Sequence, residues 1–110
     1  MFKDIRTGVI GVGSMGQNHA RIYDKISNLI GVSDYDRKQG IKIAERFGVP
    51  FFENYEEMLD KVDAVSVAVP TIVHHEVCVK VANSGTHFIV EKPLSDNFVQ
   101  ASKIVSAAKN

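Results

Sequence analysis

Short runs of apolar, largely β-branched residues alternate along the chain with segments that have helical periodicity. The runs are continuously apolar, which is typical of strands buried on both faces of a parallel sheet. The predicted strands are Thr7–Val12, Leu29–Ser33, Phe51–Phe52, Ala64–Val69 and His87–Val90. A helix is predicted after each of them. This order indicates an α/β fold with right-handed crossovers and a parallel sheet of about five strands.

Apolar residues at helical spacing predict which face of each helix is buried. The second helix presents Ile43 and Phe47 on one side. The remaining predicted faces are Met15, His19, Ile22 and Ile26 in the first helix, Val73, Val77 and Val81 in the fourth, and Phe98, Ala101, Val105 and Ala108 in the last, for which Ser95 is the expected N-cap.

Capping residues mark the helix ends between these faces. Asp36 followed by Gln39, and Asn54 followed by Glu57, have the spacing of capping boxes. Gly48 is expected to end the second helix, because glycine readily adopts the left-handed conformation found there. The predicted elements therefore form one domain with no internal linker.

Composition and charge exclude several classes of protein. The chain has 110 residues, of which 45% are hydrophobic, and Lys plus Arg equal Asp plus Glu at 13 each. We therefore expect no nucleic-acid or membrane partner. The single cysteine, Cys78, is predicted to be a small core residue, and no Cys/His group has the spacing of a metal site. With no signal-peptide core after Met1, these features favour a cytoplasmic protein.

A glycine-rich motif, Gly11-Val12-Gly13-Ser14-Met15-Gly16, lies between the first predicted strand and the first helix. Gly11 permits a tight turn, Gly13 lets a pyrophosphate approach the backbone, and Gly16 lets helix and strand pack closely. Amide groups at the start of the helix would then face the phosphates. The motif predicts a dinucleotide site at Gly11, Gly13, Ser14, Met15 and Gly16, since it sits in the strand–turn–helix context that such a site requires.

An acidic residue, Asp34, ends the second predicted strand at the distance from the loop expected of a ribose-binding carboxylate. A carboxylate there repels a 2′-phosphate, so NAD is favoured over NADP. Asp36 is an alternative for this role, although its spacing favours a cap. Arg37 and Lys38 could accommodate a phosphate, which leaves NADP possible. Loop and carboxylate together predict a Rossmann-type doubly wound fold.

Two later segments carry a family resemblance. They are Val69-Pro70-Thr71-Ile72-Val73-His74-His75-Glu76 and Glu91-Lys92-Pro93-Leu94. With the glycine loop, His19 and Asp34, they make nearly the whole chain resemble the Gfo/Idh/MocA oxidoreductases, the relatives of glucose–fructose oxidoreductase and inositol dehydrogenase. The Glu91-Lys92-Pro93 motif is the most specific part of this resemblance.

The resemblance implies roles for the residues of these segments. Lys92 would lie near the nicotinamide and the substrate hydroxyl as the catalytic lysine, although a lysine there also fits a solvated surface position. Thr71 and His74 also fit a simple capping role at the start of their helix, and His19 fits a packed histidine better than a proton carrier. The further cofactor contacts implied by the resemblance are Val69, Pro70, Thr71, His74, Glu91 and Lys92.

The resemblance also bears on domain organisation. Family members carry a second, substrate-binding domain after the dinucleotide domain, and residues 1–110 contain neither that domain nor a sixth strand. We therefore expect a dinucleotide-binding domain that binds NAD with little turnover. With the missing domain it would transfer hydride between nicotinamide and a secondary alcohol of a sugar or cyclitol, a small-molecule substrate. Apolar surface left exposed would allow a homo-oligomer.

Two other functions are compatible with the same residues. One is a stand-alone module that senses NAD without catalysis. The other is a Rossmann-like domain for a different adenine ligand, such as S-adenosylmethionine. Glu91-Lys92-Pro93 argues against the latter, because a ligand-only domain has no need of a lysine at that sheet edge.

Overall fold

The structure is a computed structural model that describes residues 2–69 and 71–90. In chain order its elements are β1 (Phe2–Ile10), α1 (Ser14–Ile26), β2 (Ser27–Ser33), α2 (Arg37–Phe47), α3 (Tyr55–Leu59), β3 (Ala64–Val67), α4 (Thr71–Asn83) and β4 (His87–Val90). Strands and helices alternate as the sequence predicts, except that α2 is followed directly by α3, where the sequence predicts a short strand. The last predicted helix lies outside the described residues.

The four strands form one parallel sheet in the order β2-β1-β3-β4. The predicted strand at Phe51–Phe52 is reduced to a single parallel bridge between Val32 and Phe51, with a backbone bond of 2.9 Å from Phe52 N to Val32 O. This bridge continues the sheet beyond β2. The α/β class and the parallel sheet are confirmed.

Strand β1 begins five residues before the predicted start at Thr7, and it ends at Ile10 instead of Val12. The early part was missed because it is polar and exposed at Asp4 and Arg6. The strand ends at Ile10 because Gly11 takes a φ of 91°, which is incompatible with a strand.

Helices cover both faces of the sheet, so there are two cores. The core beneath α1 and α2 consists of Val9, Val12, Ala20, Leu29, Val32, Ile43 and Ala44. The core beneath α3 and α4 includes Ile10, Met58, Val65, Val67, Val77, Cys78 and Val81. Neighbouring residues of β1 alternate between them, as the side-chain period of a strand requires. The predicted faces of α2 and α4 and the buried position of Cys78 are confirmed.

The predicted buried face of α1 is wrong at Met15 and Ile22, whereas His19 and Ile26 are half-buried. Met15 and Ile22 are 52% and 45% exposed, whereas Gly16 and Ala20 are buried. The reason is the close approach of α1 to the end of β1, where a Cβ on Gly16 would lie 1.8 Å from Gly11 O. Only small residues fit between α1 and β1 at that contact. The larger side chains of Met15 and Ile22 therefore lie away from it and are exposed.

The helix ends agree with the predicted caps. Asp36 Oδ1 accepts from the backbone N–H groups of Lys38 and Gln39 at 3.1 and 3.3 Å. Asn54 Oδ1 accepts from Glu56 N at 3.0 Å, and Gly48 ends α2 with a φ of 66°. Within the described ranges, no helix has the length and apolar character needed to cross a membrane.

Candidate functional site

The turn after β1 is fixed by the backbone of Gly11. Its N–H donates to Ser33 O at 2.7 Å, which joins the turn to the end of β2. A Cβ at this position would lie 2.4 Å from Ala68 O, and the φ of 91° disfavours any side chain. The turn therefore requires glycine both for its conformation and for the space next to β3.

Gly13 is the N-cap of α1 and lies in open space. A Cβ built on it meets no atom of the described residues within 4 Å, and its φ of −69° is accessible to any residue. No side chain within the described part of the chain caps this helix, in contrast to α2 and α3. Ser14 and Met15, the next two residues, are exposed. The 13-residue helix thus begins at exposed residues, and the N-terminus of a helix is suited to an anion because its first N–H groups have no partner within the helix.

Asp34, the residue after β2, is half-buried and holds the glycine loop. Its Oδ2 accepts from Val12 N at 2.8 Å, and its Oδ1 accepts from Asp36 N at 2.7 Å. Each carboxylate oxygen can accept a further hydrogen bond. The carboxylate can therefore fix the loop and still accept from ligand hydroxyl groups.

The carbonyl group of Val12 is held by two glutamine side chains. Gln17 Nε2 and Gln39 Nε2 each donate to Val12 O at 3.0 Å, and Arg46 Nη1 donates to Gln17 Oε1 at 3.2 Å. Sequence reasoning missed these contacts and assigned Gln39 to the capping box, where it would accept Asp36 N–H. Asp34 accepts that N–H instead, which leaves the Gln39 side chain to reach the loop.

A small cavity of about 20 Å³ lies beside Asp34 at the carboxyl edge of the sheet. Val69, predicted as a cofactor contact, is buried along its wall. The hydroxyl of Tyr55 is buried and has no hydrogen-bond partner among the described residues, and burial raises the pKa of Tyr55 to about 12. The lining residues are Ile10, Ser33, Asp34, Tyr35, Glu53, Tyr55 and Val69.

Other predicted contacts lie at the start of α4 or beyond the described residues. Thr71 and His74 belong to the first turn of α4, which follows β3 and begins at the same sheet edge as the glycine loop. Pro70, Glu91 and Lys92 lie outside the described residues. The described part of the site therefore comprises the loop, Asp34, Val69 and the backbone of the first turn of α4.

A polar network joins α1 to the middle of the sheet. Ser66 on β3 is fully buried, and its Oγ is hydrogen-bonded to His19 Nδ1 at 2.7 Å and to Tyr23 OH at 2.6 Å. His19 is half-buried, which agrees with its interpretation as a packed histidine. These hydrogen bonds give the buried hydroxyl group of Ser66 the partners that a polar group in the core requires.

Comparison with known proteins agrees with this geometry. A model of the oxidoreductase family with an NAD-binding Rossmann fold, GFO_IDH_MocA, matches residues 5–110. UDP-N-acetylglucosamine 3-dehydrogenase of Acidithiobacillus ferrooxidans is 35% identical over 105 residues, which cover 96% of this chain and 34% of the relative. Its solved structure matches with a TM-score of 0.92.

Two further solved structures contain a dinucleotide. GenD2 from gentamicin A biosynthesis, in complex with NAD, has 31% identity and a TM-score of 0.90 over 99% of this chain and 32% of its own. KijD10, a 3-ketoreductase from Actinomadura kijaniata in complex with NADP, has 29% identity and a TM-score of 0.84 over 96% and 34%. The chain thus spans about a third of the length of these relatives.

Proposed function

The chain belongs to the Gfo/Idh/MocA family of NAD(P)-dependent oxidoreductases, and we propose that residues 1–110 form a dinucleotide-binding domain. We propose further that this domain prefers NAD over NADP. The cofactor would lie across the carboxyl edge of the sheet, which is where open α/β sheets bind ligands. The family has an NAD-binding Rossmann fold, and relatives of the chain occur with NAD and with NADP.

The observation that carries the proposal is the uncapped start of α1 at Gly13. Among the residues that the structure describes, none fills the space over Gly13, and no side chain caps the helix. A pyrophosphate fits this place because it supplies the anion that the helix N-terminus favours, and it can approach a residue without a Cβ. The rest of the phosphate-binding loop would be formed by Gly11, Ser14, Met15 and Gly16.

Asp34 supports the preference for NAD. In the proposed complex, its carboxylate accepts hydrogen bonds from the adenosine ribose while it continues to hold Val12 N. A 2′-phosphate would bring negative charge against the same carboxylate. The rest of the cofactor would lie along the carboxyl edge of the sheet, in contact with Val69, Pro70, Thr71, His74 and Glu91.

The proposed reaction is hydride transfer between the nicotinamide and a secondary alcohol of a sugar or cyclitol. The cofactor supplies the hydride chemistry, and the protein supplies position and proton handling. We assign to Lys92 the role of orienting the substrate hydroxyl and assisting its proton transfer. The relative from Acidithiobacillus ferrooxidans is named for a dehydrogenation of a sugar nucleotide.

We further propose that the 110-residue chain binds NAD with little turnover. Family relatives are about three times as long, and positioning of a substrate against the cofactor is worth many powers of ten in rate. We place the domain in the cytoplasm, where its single cysteine would remain reduced.

Calorimetric titration of the 110-residue chain with NAD, NADP and S-adenosylmethionine tests this function. We expect binding of NAD, weaker binding of NADP, and no binding of S-adenosylmethionine. Absence of NAD binding by a folded chain would contradict the cofactor assignment. A parallel assay with inositol and simple sugars should give negligible NADH, and rapid alcohol-dependent NADH formation would disprove the expected lack of turnover.

A further inference from the structure

The backbone brings a second carboxylate to the end of β2. The parallel bridge pairs Val32 with Phe51, and the bond from Phe52 N to Val32 O keeps the two segments together for one residue more. Counted from this pair, Glu53 is the position that corresponds to Asp34. Both residues line the cavity of about 20 Å³ described above.

Glu53 also forms an ion pair with Arg37, the basic residue that is nearest to Asp34 in the sequence. Arg37 Nη1 lies 3.2 Å from Glu53 Oε1, and both side chains are exposed. Arg37 is the first residue of α2, directly after the cap Asp36. In the sequence, it is a candidate to receive a 2′-phosphate, but in the structure its guanidinium group is paired with a carboxylate.

We propose that Glu53 is a specificity-determining residue that excludes a 2′-phosphate from the adenosine end of the site. It does so in two ways, by pairing with Arg37 and by adding a second carboxylate to the cavity that Asp34 lines. NADP would have to displace the Glu53 carboxylate from Arg37 and then lie against two carboxylates. NAD carries no phosphate at this position and is unaffected. This inference rests on the proposed dinucleotide function.

The pair between Arg37 and Glu53 has little value for the stability of the fold. Exposed ion pairs contribute little because solvent screens them and because both side chains lose rotamer freedom. Removal of Glu53 should therefore leave the fold intact while changing the charge at the site. The effect on a dianionic phosphate is larger than on the pair itself, because Coulomb energy scales with the ligand charge.

The variant Glu53→Gln tests the inference, with calorimetric titration of the 110-residue chain by NAD and by NADP at low salt. We expect the affinity for NADP to rise about three- to tenfold and the affinity for NAD to change less than about twofold. The gain should shrink at high salt because exposed charges are screened. Glu56→Gln is the matched control, since Glu56 also pairs with a cation, Lys80 at 3.1 Å, outside the cavity.

A second substitution isolates the role of the freed cation. Arg37→Gln in the Glu53→Gln background should cancel most of the gain in NADP affinity, because the guanidinium group is then absent. An unchanged ratio of NADP to NAD affinity in Glu53→Gln would overturn the inference, as would an equal change in Glu56→Gln. Wild-type chain that binds NADP as tightly as NAD would also overturn it. Failure of the wild-type chain to bind either dinucleotide would instead refute the proposed function.

Discussion

The backbone N–H of Val12 donates a hydrogen bond of 2.8 Å to the carboxylate of Asp34, across 22 residues of sequence. This contact joins the glycine loop after β1 to the residue that follows β2. The two parts of the proposed site therefore form one unit, in which the residue expected to bind ribose also positions the loop expected to bind phosphate.

Asp34→Ala should impair both functions of this unit. Val12 N and Asp36 N lose their acceptor, and the expected loss of unfolding free energy is about 1–3 kcal/mol. NAD affinity should fall at least about tenfold, since a charge-assisted contact to the ribose is lost. The preference for NAD over NADP should also diminish. Urea unfolding and calorimetry measure the two effects separately.

Asp34→Asn is the matched variant, because it keeps an acceptor oxygen and removes only the charge. It should retain more stability than Asp34→Ala and still lose selectivity against NADP. Tighter binding of NADP than NAD by the wild-type chain would contradict the assignment of Asp34.

Two glycines of the loop should respond differently to substitution. Gly13→Val places a side chain in open space, so stability should change by less than about 1 kcal/mol while NAD binding is lost. Gly16→Ala forces a Cβ to within 1.8 Å of Gly11 O and should destabilise the fold by more than about 2 kcal/mol. Thermal unfolding and NAD titration distinguish them. Normal NAD binding by folded Gly13→Val would refute the role of the loop.

Gln17 and Gln39 both donate to Val12 O, so replacing one or both of them should weaken the glycine loop in steps. Gln39→Leu removes one of the two donors at 3.0 Å and should lower the unfolding free energy by about 0.5–1.5 kcal/mol. ADP, which contains the pyrophosphate, should bind a few-fold more weakly, whereas adenosine should be unaffected. The double variant with Gln17→Leu should be worse than the sum of the single changes, because Val12 O then lacks both donors. Lys42→Leu, exposed on the same helix as Gln39, serves as the control.

The buried hydroxyl of Tyr55 predicts an alkaline loss of stability. Burial raises the pKa of Tyr55 from its ordinary value of 10 to about 12. Between these values the folded chain retains a proton that the unfolded chain has lost, so the free energy of unfolding falls as pH rises. Tyr55→Phe should make this fall shallower.

At neutral pH, Tyr55→Phe should leave stability unchanged or raise it by up to about 1 kcal/mol, because the lost hydroxyl is buried and has no partner within residues 2–69 and 71–90. Urea titrations at pH 7 and across the alkaline range test both parts. A clear loss of stability at pH 7 would show that the hydroxyl has a hydrogen-bond partner.

The sequence predicted the helix ends correctly, because a cap depends on residues that are close together in the chain. Asp36 and Asn54 cap the helices that they precede, and Gly48 ends α2 in the left-handed conformation. The predicted face of α1 is wrong at two of its four positions, Met15 and Ile22, for a tertiary reason. Periodicity identifies large apolar residues such as Met15, but a close contact between a helix and a strand selects small ones such as Gly16.

The sequence by itself determined the order of strands and helices, the glycine loop and the acidic residue after β2. These follow from side-chain period, backbone freedom and capping, which act over a few residues. Only the tertiary structure decided that Gln39 supports Val12 and that Glu53 holds Arg37. Such contacts join residues that are distant in sequence, and the sheet fixes their positions by the strand order and register that bring them to one edge.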